Sequence, residues 1–411
     1  MSTQVPTARA RLLGPAFDLL AAYRPGGFVF ERSGLGVAGV GEAARIEAEG
    51  GPGREARLAA ATAEILARIR REESAPPPIA VGSLPFDEGE PATLSVPSIA
   101  VRRPDPASTW LLALGDAETW EPERVRPRGP SRAFAPVHIH PEPEPGRYEE
   151  AVAEAIRRIR TGGLGKVVLA RSEIVEAGRS LDPKALLARL RAVDPDCYSF
   201  AARAEPGRTL VGASPELLLA RRGREVTATP LAGSAPRSGD PAADRAAAEA
   251  LRSSAKDREE HAYVAEAVAA GLAPLCEELA RPAEPTLVRT ASVWHLATPF
   301  RGLLKEPPAG ALELVGALHP TPAVCGSPRE EARAAIGELE SIRRGGYAGP
   351  VGWVDAEGDG TWAIALRCAE IEGDRARLFA GAGIVAESVP AKEVEETERK
   401  FLAFLESLRW G

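Results

Sequence analysis

Cysteine is scarce in this chain: there are four, Cys197, Cys276, Cys325 and Cys368, and no two of them form a CxxC pair. That spacing argues against a zinc knuckle and against a disulfide framework, and predicts buried free thiols. Also missing is any run of about eighteen apolar residues, the length a membrane-spanning helix requires. The opening MSTQVPTARARLLGP has neither a hydrophobic signal core nor a small-residue cleavage site, so a cytoplasmic protein with no membrane partner is expected. A basic stripe is lacking too, because 51 Lys and Arg and 58 Asp and Glu are interspersed to give a net charge of -7. Nothing would track a polyphosphate backbone, and nucleic acid is not an expected partner.

What is present is length and apolar content: 411 residues, 44% of them hydrophobic, can bury one large core or two ordinary ones. Short strands such as Phe28-Val29-Phe30 lead into a helix expected from about Gly53 to Glu73, with Leu58, Ile65 and Ile69 on one face and the prolines Pro76 to Pro78 ending it. Trp110 to Leu114 reads as a strand. The proline-rich PEPEPGRYEE then breaks the pattern and opens a helix, which places a subdomain boundary near Pro145. Beyond it the expected order is a helix (Tyr148 to Arg160), a strand (Lys166 to Arg171), a helix (Pro183 to Ala192) and strands up to Thr229. A long Ala-rich helical region from about Asp244 to Leu279, Gly-rich strands from Gly349 to Ala386 and a closing helix from about Ala391 to Leu408 follow. No internal repeat is found.

Gly34-Leu35-Gly36-Val37-Ala38-Gly39 satisfies GxGxxG, but VGEAARIEAEGGPG after it breaks at glycines before any second parallel strand. A dinucleotide fingerprint needs that strand and an acidic residue at its end, so a turn between strands is the better reading.

Several segments could carry chemistry. GGLGKVVLARSEIV sets Lys166 at the entry of an apolar strand, with Val168 and Ala170 on the same face. A desolvated lysine can serve as a general base; a lysine snorkelling from a strand end is the alternative. TLVGASPELLLARRG places Glu216 between a proline and three leucines, where a carboxyl stays protonated as a general acid requires, unless it faces water at a strand edge. KDREEH and KEVEETERK each carry acidic residues at i, i+3, Asp257 with Glu260 and Glu393 with Glu396. Face to face they would form an oxygen-rich site suited to Mg²⁺; as solvated faces they would instead pair locally, for example Glu396 with Lys400. GAGIVAES reads as a turn whose Gly381, Ala382 and Gly383 free backbone N–H groups for an anion. Arg367, expected in the strand IALRCAEI, faces either solvent or a lined cavity.

These pieces fall in a recognisable order. From about Tyr148 to Leu408 the chain resembles the chorismate-utilising enzymes, the isochorismate, salicylate, anthranilate and aminodeoxychorismate synthases. The resemblance rests on KVVLAR, VGASPELLL, TPLAGSAPRSG, KDREEHAYV, VWHLAT, LHPTPAVCG, RGGYAGPVGW, ALRCAEI, GAGIV and EVEETERK, in family order. It implies an α/β (α+β) fold in which antiparallel sheets pack against helices around a central cleft. Residues 1–145 would be a divergent N-terminal part of that fold, and 146–411 the chorismate-binding catalytic region.

It further implies that Lys166 activates water and Glu216 protonates the departing hydroxyl. Glu260 and Glu396 would bind Mg²⁺, supported by Asp257 and Glu393. Family members often have glutamate at Asp257, and the shorter side chain puts its direct metal contact in doubt. Arg367, Lys400, Tyr347 and the Gly381 to Gly383 backbone would hold substrate carboxylates, with Gly233, Ser234, His295 and Ala323 also lining the chorismate site. The ammonia-using synthases usually have glutamine at Lys166, aminodeoxychorismate synthases have PIKGT where this chain reads PLAGS with Ala232, and salicylate synthases have threonine at Ala323. The resemblance therefore implies an isochorismate synthase using water, with no glutaminase subunit, working as a monomer.

Overall fold

The computed structural model describes residues 7–14, 17–72, 75–115, 120 and 138–409. Its strands form two large sheets and a small one, and nearly all neighbours are antiparallel; the short Thr7–Leu13/Arg70–Arg71 pair is parallel. The first sheet, of thirteen strands, runs from His138–Glu142 through Lys166–Glu176, Arg375–Ile384, Cys368–Glu372, Arg208–Ser214 and Tyr198–Glu205. It continues through Phe28–Arg32, Leu35–Val40, Ile99–Arg103, Thr109–Leu114 and Thr7–Leu13 to Arg70–Arg71, with Gly326–Ser327 paired beside Lys166. The second, of nine strands, runs Cys276–Ala280, Phe300–Leu304, Glu225–Thr229, Leu217–Arg222, Gly360–Ile364, Pro350–Asp355, Ile79–Ser83, Ala92–Val96, Ala44–Ala48. The third joins Leu231–Pro236, Val293–Ala297 and Thr286–Arg289. Strands from before and after residue 145 share both large sheets, and the main hydrophobic core runs continuously from Phe28 and Leu58 to Trp362 and Ile384.

Helices start where the sequence supplies caps. Pro145, Pro183 and Pro241 occupy first-turn positions in which a missing N–H costs nothing, and Asp182, Asp240 and Ser254 accept hydrogen bonds from the first-turn amides. The Ser254 cap divides the expected 244–279 helical region. Pro241–Ser253 and Ala255–Leu272 are separate helices, and Cys276–Ala280 is a strand. The first long helix, Arg54–Ala67, also stops well short of the prolines expected to end it, at a turn where Arg68 and Ile69 donate to Ile65 and Leu66; Glu73 lies outside the described residues. Helices Ala311–Leu318 and Arg329–Leu339 went unread in the sequence.

Gly34 sits at the tip of a hairpin between Phe28–Arg32 and Leu35–Val40, which confirms that the GxGxxG match is a turn running into an antiparallel strand. All four cysteines are buried and free. Among the described residues no helix is long and apolar enough to cross a membrane.

Candidate active site

Lys166 opens its strand wholly buried, with Nζ 2.9 Å from Glu260 Oε1 on the helix Ala255–Leu272. The expected snorkelling alternative is thus absent. Room for this pair comes from Gly383, which lies across the ladder opposite Val168. A Cβ on Gly383 would stand 2.5 Å from Glu260 Oε1 and 3.1 Å from Lys166 Cε, so only glycine leaves the two side chains in place. For Lys166 to act as a free base, Glu260 must turn to another partner.

Glu216 and Arg367 occupy two adjacent places where the chain passes between the large sheets. Glu216 lies between Arg208–Ser214 of the first sheet and Leu217–Arg222 of the second, while Arg367 lies between Gly360–Ile364 of the second and Cys368–Glu372 of the first. The crossovers are stitched together, because Ile364 N donates to Glu216 O at 3.1 Å and Ala213 N donates to Arg367 O at 3.2 Å. Arg367 is therefore not a strand residue, as the alternation suggested; it turns the corner with φ 47°, a left-handed value uncommon outside glycine. The Glu216 side chain is buried, and burial pushes its pKa up to about 8, although an amide hydrogen bond from Leu231 and the Lys166 charge pull the other way. At neutral pH it is a protonated acid.

Arg367 Nη2 lies 2.8 Å from His295 Nε2 on the strand Val293–Ala297. A guanidinium only donates, so Nε2 must be the unprotonated nitrogen, and Nδ1–H faces the backbone carbonyl of Gly233. Burial and the charges of Arg367 and Lys400 hold His295 well below its ordinary pKa, which keeps the ring neutral. Gly233 forms a bulge in the strand Leu231–Pro236 with φ 75°, and a Cβ there would meet Asp257 Cβ at 3.1 Å. Ser234 pairs directly with His295 across the small sheet.

The two acidic helix faces lie within electrostatic range of each other. Burial raises the pKa of Glu393, and Glu396 and Glu260 raise it further. Asp257 is likewise raised by burial, with Glu260 and Glu396 adding to the effect. Burial also works against ionising Glu396, but Lys400 outweighs it and the net direction is down. Lys400 Nζ reaches Glu396 Oε1 at 2.7 Å, so the local i, i+4 pair offered as the alternative is formed. Asp257 Oδ2 accepts from Ser254 Oγ at 2.5 Å, which ties it to its own helix cap.

Among the described residues no three His, Cys, Asp or Glu side chains are grouped closely enough to hold a metal by themselves. The donor set nevertheless fits Mg²⁺, which takes one or two carboxylates and completes its shell with water and substrate oxygens. The upward push that Glu260 and Glu396 exert on Asp257 and Glu393 marks negative charge that a divalent cation would neutralise.

Gly381, Ala382 and Gly383 are not in a turn. They belong to the strand Arg375–Ile384 and pair with Ala170, Leu169 and Val168. The run of alternating small residues that looked like a loop is a strand whose missing side chains admit Glu260 and Lys166. Its other neighbour, Cys368–Glu372, pairs only as far as Leu378, and on the edge beyond that point Lys400 Nζ donates to Gly381 O at 2.7 Å. Tyr347 stacks on Phe379 with centroids 5.0 Å apart, and its hydroxyl lies near Gly381. Ala323 sits half-buried in the loop between the helices Ala311–Leu318 and Arg329–Leu339.

Comparison with known proteins decides the family: residues 28–409 match the model of the chorismate-binding enzymes. This chain belongs to that family. It is 41% identical to isochorismate synthase DhbC of Bacillus subtilis over 96% of each chain, and 38% identical to isochorismate synthase EntC of Escherichia coli over 80% of each. The crystal structure of a putative 2,3-dihydroxybenzoate-specific isochorismate synthase from Bacillus anthracis superposes with TM-score 0.81 at 38% identity, covering 95% of this chain and 98% of that one. Component I of anthranilate synthase from Streptococcus pneumoniae shares the fold, with TM-score 0.70 at 22% identity and 93% of each chain covered.

Within this chorismate-binding enzyme, some supporting residues were not legible beforehand. Buried His261, held to a pKa of about 4 chiefly by burial, contacts Thr298 Oγ1 at 2.7 Å through Nε2 and so fixes the helix bearing Glu260. Ser254, Glu340 and Arg344 also escaped notice. Glu340 and Arg344 lie just beyond the helix Arg329–Leu339, which itself went unread, so their spacing carried no signal.

Proposed function

We propose that this chorismate-binding enzyme is a Mg²⁺-dependent isochorismate synthase. The observation that carries this reading is a wholly buried lysine, Lys166, set within electrostatic reach of a carboxyl, Glu216, that burial keeps protonated to about pH 8. A buried amine and a protonated carboxyl at these positions suit displacement of one ring hydroxyl by water. Lys166 takes a proton from water as its oxygen bonds to C2 of the ring; the double-bond electrons shift, the C4–O bond breaks, and Glu216 gives its proton to the departing hydroxyl, which leaves as water. Substrate and product are isomers and nothing is oxidised, so the reverse reaction uses the same two groups with roles exchanged.

Arg367, Lys400, Tyr347 and the Gly381 to Gly383 edge would grip the substrate carboxylates, while Gly233, Ser234, neutral His295 and Ala323 line the ring. Mg²⁺ would be held by Glu260 and Glu396 with Glu393 and Asp257 behind them, and when bound it supplies the positive charge that lets a dianion lie beside four carboxylates. Lysine at position 166 and alanine at 232 favour water over ammonia and over a covalent amine adduct, and alanine at 323 favours release of isochorismate before pyruvate is lost.

The test is a time course of purified protein with chorismate and Mg²⁺, products resolved by chromatography and pyruvate measured by a coupled lactate dehydrogenase assay. Isochorismate approaching an equilibrium mixture from either direction, without added ammonium, is expected. Stoichiometric pyruvate with salicylate would reassign the reaction to a salicylate synthase, and an aminated product that requires ammonium would reject water as the nucleophile.

A further inference from the structure

The strand that carries Lys166 has a gap in its ladder. Along one edge it pairs continuously with Arg375–Ile384; along the other, Gly326–Ser327 covers Lys166 and Val167, and His138–Glu142 covers Ser172 to Glu176. Residues 168–171 face no strand on that second edge, and a buried backbone amide or carbonyl left there without a partner would be costly. Two side chains and one loop carbonyl fill the gap. Arg344 Nη2 donates to Val168 O at 2.8 Å, Ala170 N donates to Glu340 Oε1 at 2.7 Å, and Val168 N donates to Cys325 O at 2.7 Å. Glu340 and Arg344 are themselves paired, with each side chain only 4% exposed.

The same guanidinium reaches a second part of the site. Arg344 Nη1 donates to Val324 O at 2.7 Å, next to Ala323, and the plane lies over the Phe86 ring at 4.2 Å. Arg344 O also accepts from Tyr347 N at 3.0 Å. One ion pair thus ties the Lys166 strand, the Ala323 loop and the Tyr347 turn to each other.

We propose that Glu340 and Arg344 are positioning residues for the reaction, a two-residue substitute for a missing strand that fixes Lys166 and the Ala323 loop in register. The proposal rests on the assignment of Lys166 as the base. Arg344→Lys keeps the charge but not the planar fork that spans Val168 O and Val324 O together. Glu340→Gln keeps an acceptor for Ala170 N and removes the ionic partner.

The experiment measures kcat, KM for chorismate and the thermal midpoint for both variants and for Lys166→Gln, all as full-length protein with Mg²⁺. Displacing a reacting group by less than an ångström costs about tenfold or more in rate, so kcat should fall at least that far, with KM within about twofold because the two cationic grips, Arg367 and Lys400, lie on elements that neither side chain contacts. Should Arg344→Lys fail to fold, Glu340→Gln carries the same expectation. A folded variant with unchanged kcat, or kcat and KM deteriorating together with the midpoint, overturns the positioning role. If Lys166→Gln itself turns over normally, the site assignment fails; if only Lys166→Gln is dead, the bracing proposal alone fails.

Discussion

Glu216 offers a measurement in which stability and catalysis report on one proton. Its pKa of about 8 in the fold, against 4.5 for the ordinary side chain, corresponds to about 5 kcal/mol against carrying a charge at this buried position. The native state binds the proton more tightly than the unfolded chain does. Its stabilising contribution is therefore complete below 4.5, declines as pH rises, and is gone once pH passes about 8. Glu216→Gln has nearly the same shape and no charge to gain, so it escapes that loss. The stability of the variant relative to the parent should grow by up to about 1.4 kcal/mol per pH unit across this window and level off above it. Urea unfolding at about pH 5, 7 and 9 for both proteins measures the difference, with groups elsewhere cancelling. In activity the order reverses: the variant should lose about 10²-fold or more in kcat, and parent kcat/KM should decline about tenfold per pH unit above 8 as the acid ionises. Parallel stability profiles for the two proteins, or parent activity still rising at about pH 9, would refute the burial argument for a protonated acid.

Three further outcomes follow from the same geometry. Lys166→Gln should cut turnover about 10²-fold or more with chorismate binding retained, and a residual rate within about threefold of the parent in steady-state assays would remove Lys166 from the mechanism. Exhaustive chelation should abolish turnover and Mg²⁺ should restore it, while Glu260→Ala and Glu396→Ala should weaken metal-supported chorismate binding measured by calorimetry; full activity after chelation contradicts the metal reading. Gly383→Ala should displace Glu260 and Lys166 and lower kcat about tenfold or more with little change in thermal midpoint, so a kinetically normal variant would show that the space Gly383 leaves for these side chains is not needed.

Periodicity and caps made the helices at Pro145, Pro183 and Pro390 and the strands around Phe28, Trp110 and Lys166 readable, because each is determined by neighbours a few residues away. What stayed hidden depends on distant partners. Gly381 to Gly383 looked like a loop because small residues lower strand propensity, yet here they make space for side chains arriving from a helix more than a hundred residues earlier. Arg367 looked like a strand residue because the apolar alternation continues through it, and only the passage between sheets shows that it must turn. The acidic faces were visible, but Ser254's hold on Asp257 was overlooked, although Ser254-Ala255-Lys256-Asp257 has the S-x-x-D spacing of a capped helix start.

The stitched crossovers of Glu216 and Arg367 bear on how this site could be remodelled. Because each backbone is hydrogen-bonded to the other's strand, the proposed proton donor and the proposed carboxylate grip form one piece, whereas Lys166 stands on a different strand of the first sheet. A change in the angle between the two large sheets would carry the acid and the guanidinium together and alter only their distance from the base. Divergence toward other nucleophiles or leaving groups therefore has one adjustable gap to work with, and the residues that set it can lie far from any bound substrate.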